Sequence, residues 1–351
     1  MHRFFKICLM IIFTSILFCP VSRADTRPKY YFKIASLAPA GSVWAQRFDE
    51  FAEEVKTKTN GEVGFKVYPG GVMGDDPSVY RKMKIGQLQG GGFTMTGIAE
   101  IVPDFAVLGV PFLLRSYEEV DLVIQGVWPN FKKSFADNGL VLLGMSEVGF
   151  VYAMSTWPVS TVSDMKKTKC WVPQGDLVSP VYLSTLGVNA TSLAIPDVLS
   201  SLQTGLIDTV FNSYYGSIVL QWFTQTRYVS DLPFAYSYGV FLLDAKSFSR
   251  LPADYAAIIE SSALKYFAIL LNDTRKSNAD SLDVLKKNGV NMVNVPPESR
   301  KQLQEHGVKS VERVVGKVFS NDIYQAVVKR LDIFRNNHRE NASKVSIDSA
   351  S

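Results

Sequence analysis

The sequence predicts an α/β protein built as two lobes, and three observations lead there. Segments with strand-like alternation and segments with helical spacing follow one another along the chain, the pattern of sheets covered by helices. The chain has 351 residues and is 47% hydrophobic, more than one core is expected to absorb, because cores seldom grow beyond ~250 to 300 residues. Residues 253–288 contain neither proline nor glycine, a stretch that as one helix would reach about 54 Å and could brace two lobes.

The elements follow in order. Tyr30 to Ser36 alternates as a strand. After Pro39 and Gly41, Ser42 can cap a helix whose apolar residues Val43, Trp44, Phe48, Phe51, Ala52 and Val55 recur with helical spacing until Asn60-Gly61 stops it. Glu62 to Tyr68 is the next strand, and Asp76 and Pro77, as cap and first helical residue, start a helix through Gln87. A glycine triplet, Gly90 to Gly92, leads into a strand and turn at FTMTG. Leu140 to Ser146 and Phe150 to Ser155 read as two apolar strands joined tightly at Glu147 to Gly149. Pro252 marks a helix start and Gly289 a stop. Composition leaves two readings of the span between them, one long helix or two with a break near Asn272-Asp273. The polar end, residues 340–351, reads as a disordered tail.

The first 24 residues read as a cleaved signal peptide. Arg3 and Lys6 precede an apolar run from Ile7 to Phe18, and Ser22-Arg23-Ala24 supplies a small-x-small cleavage site. The run is shorter than the roughly 20 residues that span a bilayer, and Phe18 before Cys19 departs from the small residue of a lipid-attachment signal. Losing Arg3, Lys6 and Arg23 would lower the net charge from +4 to +1, leaving no basic field for nucleic acid. Of the three cysteines, Cys8 and Cys19 go with the leader. Cys170 is then alone and reads as buried packing, with stability resting on the core rather than on disulfides.

Catalysis and metal binding find no support. The histidines are His2, His306 and His338, and no CxxC, HExxH, GxSxG or GxxxxGK[ST] occurs. Asp75-Asp76 is accounted for by helix capping. The expectation is no enzyme, no cofactor and no metal.

Several ordered blocks together resemble one family. FKIASLAPAGSVWAQRFDEFAEEVKTKTNGEVGFKVYPGGVMGDD carries a G.....YP.G..G pattern at Gly61, Tyr68, Pro69, Gly71 and Gly74. MKIGQLQGGGFTMTGIAEIVPDFAVLGVPFLLRSYEEVD, DMKKTKCWVPQGDLVSPVYLSTLGVNATSLAIPDVLSSLQTGLIDTVFN and FSRLPADYAAIIESSA follow. The series is similar to the periplasmic solute-binding proteins of TRAP (tripartite ATP-independent periplasmic) transporters, the DctP type, from about Phe32 to Ala263. The resemblance implies a type II-like, Venus-flytrap binding protein with a long helix bridging both lobes. Lobe I would hold residues 28–150 plus about 240–280, and lobe II residues 151–239 plus about 281–335. It implies a monomeric periplasmic receptor that closes on a small organic solute and presents it to TRAP permease subunits in the membrane.

The resemblance also exposes a departure. Where the family pattern reads IRVP, this chain has CWVP, with Trp171 at the position of the arginine that grips a substrate carboxylate. A second family arginine position holds Val151, and the family's Glu-Asn pair is Phe211-Asn212 here. The chain is therefore an atypical member lacking the carboxylate-binding arginines, and an aromatic-lined pocket for a hydrophobic or aromatic solute is expected. Candidate contacts are Trp171, Asn212, Phe211, Val151, Phe150, Tyr214, Gln174, Tyr236, Tyr68, Met95 and Trp44. Two alternatives stay open: an organic-acid receptor using another cation, Arg81 or Arg115, and a ligand-sensing partner of a membrane protein.

Overall fold

The computed structural model describes residues 27–348, with side chains described to residue 338. The expected leader, 1–24, and residues 349–351 lie outside the described residues. The first lobe begins with β1 (Tyr30–Ser36), α1 (Val43–Lys58) and β2 (Val63–Tyr68), followed by α2 (Asp76–Lys84), β3 (Gly90–Thr94), α3 (Met95–Ile98) and α4 (Tyr117–Asp137). As anticipated, Ser42 caps α1, its side chain accepting from the Ala45 N–H at 3.3 Å. The cap of α2 is Asp75 rather than Asp76; Asp75 accepts from the Ser78 N–H at 3.0 Å, and the helix ends at Lys84, short of Gln87. Asp76 is free of capping because its carboxyl turns inward to Thr94.

β4 (Leu140–Ser155) corrects the expectation of two strands. It is one strand, irregular where Glu147 and Gly149 pair with Tyr238 and Ser237, and Gly149 (φ 109°) forms a bulge rather than a turn. Its partner along the whole length is an antiparallel strand, residues Tyr228–Asp244. The second lobe contributes α5 (Val162–Met165), β5 (Trp171–Pro173), α6 (Ser179–Thr185), β6 (Thr191–Leu193), α7 (Val198–Gln203), β7 (Thr209–Asn212) and α8 (Tyr214–Val219), and then comes β8 (Tyr228–Asp244). The main sheet runs β2-β1-β3-β8-β4-β7, with β5 and β6 forming a separate parallel pair. β4 and β8 thus join a mainly parallel first-lobe sheet, β2-β1-β3, to β7 of the second lobe.

After α9 (Ala245–Phe248), α10 (Ala253–Lys287) resolves the open question about the long span: it is one unbroken helix of 35 residues. It packs on α1, on β4 and on α8, so it touches both lobes. Arg275 on this helix clamps the crossing strand, reaching Glu147 at 2.9 and 2.7 Å and Asp121 at 2.9 and 2.5 Å, with its guanidinium over the Tyr117 ring. Glu147 is 1% exposed, so removing Arg275 would leave a buried charge without compensation.

β9 (Asn291–Val293), α11 (Pro297–Val314) and α12 (Asn321–Asp348) complete the fold. Val295 and Leu303 join a second-lobe core, but Phe319, Ile323, Val327 and Leu331 belong to the core of the first lobe with Phe105, Phe131 and Phe135. The assignment of all of 281–335 to the second lobe is therefore corrected: its last part returns to α4, where Arg335 binds Glu119 at 2.7 and 2.8 Å. α12 runs on to Asp348, through most of the segment read as a tail.

Candidate functional site

The cleft lies where the C-terminal ends of β1 and β3 face β5 and β7, a crevice beyond strand ends of the kind α/β proteins use for ligands. It holds a cavity of about 180 Å³, many times the ~10 to 15 Å³ that one water centre needs.

The first-lobe wall is made of short polar residues and backbone. Ser36 ends β1 and its hydroxyl accepts from the Ala38 N–H at 3.0 Å. Thr94 caps α3, its hydroxyl accepting from the Gly97 N–H at 3.0 Å. Behind it sits Asp76, 3% exposed, 2.9 Å from the Thr94 N–H and 2.5 Å from its hydroxyl. Burial pushes the Asp76 carboxyl up to about 7, against the pull of those two Thr94 groups.

The second-lobe wall is aromatic. Trp171 is 2% exposed; its indole N–H donates to the Leu193 carbonyl at 3.0 Å and its ring meets Trp222 edge-on at 5.1 Å. With its N–H spent on the backbone, Trp171 offers the cleft an apolar surface. Phe211 packs against Phe234 at 5.0 Å. The Asn212 amide oxygen accepts from the Ser213 N–H at 2.8 Å, and Gly216 lies so close that an added Cβ would stand 2.3 Å from that oxygen.

The crossing strands supply the remaining surface through Ser146, Val148 and Val151 on β4 and Ser237, Gly239 and Val240 on β8. Among the described residues, none of the side chains lining this cavity carries a charge. Beside it, Trp44 donates its indole N–H to the Glu147 carbonyl at 3.0 Å and packs on Tyr215 at 5.0 Å. The lobes are in contact across the mouth. The Val43 N–H donates to the Tyr215 hydroxyl at 2.8 Å, and Gly175 (φ 85°) approaches so near that a Cβ would stand 2.9 Å from the Thr96 carbonyl oxygen.

Trp171, Asn212, Phe211, Val151 and Trp44 line the cavity, and Met95 and Tyr236 line a smaller compartment adjoining it. Phe150, Tyr214, Gln174 and Tyr68 line neither. Phe150 packs into the first core against Tyr236 at 4.7 Å, and Tyr214 stacks on Tyr152 at 4.2 Å. Gln174 is exposed, and Tyr68 lies beneath the Lys66 ammonium at 5.1 Å. The residues that sequence reasoning passed over are mostly small, Ser36, Thr96, Ser146 and Ser237, together with Ile195 and Trp222. Their positions after or within strands carry no composition signal. Arg81 and Arg115 do not line the cavity. Arg47 borders an adjoining hollow, its guanidinium engaged by Asp273 at 2.5 Å and Glu50 at 2.6 Å. Cys170 is buried, its thiol pushed up to about 12 by burial, and it lies in a second-lobe core rather than in the cleft lining.

The sequence profile of the bacterial extracellular solute-binding proteins, family 7 (DctP), matches residues 34–317. The chain belongs to this family. Family 7 proteins are solute-binding receptors rather than enzymes, and they work outside the cytoplasm. Among the described residues no helix is long and apolar enough to cross a membrane. A solute-binding protein of Chromohalobacter salexigens is 33% identical over 168 residues, 47% of this chain and 50% of that protein. The ectoine/5-hydroxyectoine-binding periplasmic protein of Ruegeria pomeroyi is 30% identical over 198 residues, 53% of this chain and 54% of that one. These alignments span about half of each relative's length. The fold matches the sugar acid binding protein of Advenella mimigardefordensis in complex with galactonate, with a TM-score of 0.82 and 23% identity over 87% of this chain and 98% of that one.

Proposed function

We propose that this family 7 protein is the extracytoplasmic receptor of a TRAP-type transporter, and that it captures a largely apolar or aromatic organic solute for a membrane permease. The observation that carries the ligand class is the uncharged lining of the interlobe cavity, with Trp171 and Val151 at the two positions where a carboxylate-binding arginine is expected. Burying a carboxylate there would leave it without a cation, at a cost of several kcal/mol. The galactonate bound by the Advenella protein shows that a structural neighbour takes an acid, so the proposal separates this chain from that chemistry. Closure supports the receptor role, because a ligand enclosed by both lobes favours the closed form by its extra contacts there.

The test is native mass spectrometry of the protein as purified, followed by calorimetric titration with phenethyl alcohol and with succinate. A co-purifying neutral compound and binding of the alcohol in preference to succinate are expected. Tight succinate binding that survives Trp171→Ala would overturn the ligand class and favour an organic acid.

A further inference from the structure

Beyond the cavity lies a second compartment of about 80 Å³. The two share Thr96, Val151, Pro173, Phe211 and Ser237 as walls. Val151 stands at this junction, and a short branched side chain there leaves room that an arginine would fill. The compartment is mostly apolar, with Met95, Leu177 and Phe234 among its walls, and among the described residues the charged side chain lining it is Asp176.

Asp176 is placed by its role at the start of α6. One carboxylate oxygen accepts from the N–H groups of Val178 and Ser179 at 2.9 and 3.0 Å. A carboxylate offers about four acceptor sites, so accepting capacity remains beyond these two bonds and the one from the Ser179 hydroxyl. Among the described residues the groups that act on its carboxylate are the Ser179 hydroxyl and the N–H groups of Val178 and Ser179, with no lysine, arginine or histidine among them. Burial raises its pKa, while the Ser179 hydroxyl and the two N–H groups lower it. A cation entering the compartment would offset that burial.

Resting on the receptor reading above, we propose that the second compartment is a ligand subsite for an ammonium group, so that the solute is an aryl- or alkylamine. Its apolar body lies along Trp171, Phe211 and Val151, and its charged end donates to Asp176. The two lost arginine positions then have separate consequences. Trp171 rebuilds a wall as an apolar surface, and Val151 opens the way to an acid. The polarity of the site is reversed relative to one that grips a carboxylate.

The experiment is calorimetric titration of the full mature chain at neutral pH with phenethylamine, phenethyl alcohol and hydrocinnamate, three probes with similar bodies and different ends. Phenethylamine is expected to bind at least about tenfold more tightly than the alcohol, in line with a charge-assisted hydrogen bond. Asp176→Asn, which keeps a capping acceptor, should abolish that preference while leaving alcohol binding in place. Should this variant fail to fold, Val151→Met, which narrows the junction, should weaken phenethylamine more than the alcohol. Equal binding of amine and alcohol, or an unchanged preference in Asp176→Asn, overturns the subsite and leaves the receptor for apolar solutes standing, whereas tightest binding of hydrocinnamate overturns the subsite and the ligand class together. Binding of succinate with none of the three aromatic probes overturns both.

Discussion

On the first-lobe side the cleft is walled by Ser36, Gly92, Thr94 and Thr96, whereas the second-lobe side presents Trp171, Ile195, Phe211 and Trp222. The first wall offers hydroxyls and backbone to the cavity, with Thr94 held by a buried carboxyl, Asp76. The second offers area, and the indole N–H of Trp171 is turned to the backbone carbonyl of Leu193. Within this cavity, as distinct from the compartment beside Asp176, hydrogen bonding should therefore reside mainly in the first wall and most of the apolar contact in the second. The difference also separates two kinds of sensitivity, since one wall depends on a proton and the other on packing.

The largest effect is expected from Trp171→Ala. Truncating this buried ring removes its contacts with Trp222 and opens a hole in the second lobe, at a cost of about 3 to 5 kcal/mol, read by urea denaturation. A loss well below that range would mean that the aromatic wall is not a packed unit.

Next is the pH dependence of the first wall. The Asp76 carboxyl titrates at about 7 in the folded protein against a reference value of 3.8. Between those values the folded state holds a proton that the unfolded chain has released, so stability falls as pH rises through the window. Acidification from about pH 7 to about 5.5 should stabilise the protein by on the order of 2 kcal/mol from this group. Asp76→Asn should flatten the profile, measured as thermal unfolding against pH. A wild-type profile unchanged by Asp76→Asn would remove the proton from the account of this wall.

The smallest effect concerns the contact between the walls. Gly175→Ala places a methyl group 2.9 Å from the Thr96 carbonyl oxygen in a left-handed backbone, with strain of roughly 1 to 2 kcal/mol. Closure should be disfavoured and ligand affinity reduced by about tenfold, with a larger radius of gyration in small-angle scattering. Unaltered affinity would show that the lobes close without this approach.

The opposite fates of neighbouring residues on β8 show what sequence can and cannot carry. Alternation separates Tyr236 and Tyr238 from Ser237 and Gly239, yet both tyrosines belong to the first core, with Tyr236 reaching only the adjoining compartment, and the small residues line the cavity. Period two states that they face opposite ways, not which way is the cleft. The same limit applies on β2 and β4, where Tyr68 and Phe150 were expected at the site and Ser146 was not.

By itself the sequence determined the α/β class, the Ser42 cap and the family, because each is a matter of local spacing or of residue type at a position in a pattern. Only the tertiary structure decided that β4 is one strand through both lobes, that α10 is unbroken, that α12 returns to the first lobe, and that Asp176 meets the space beside Val151. Those outcomes depend on contacts between segments far apart in the chain, whose energies come from burial and pairing that no local pattern encodes.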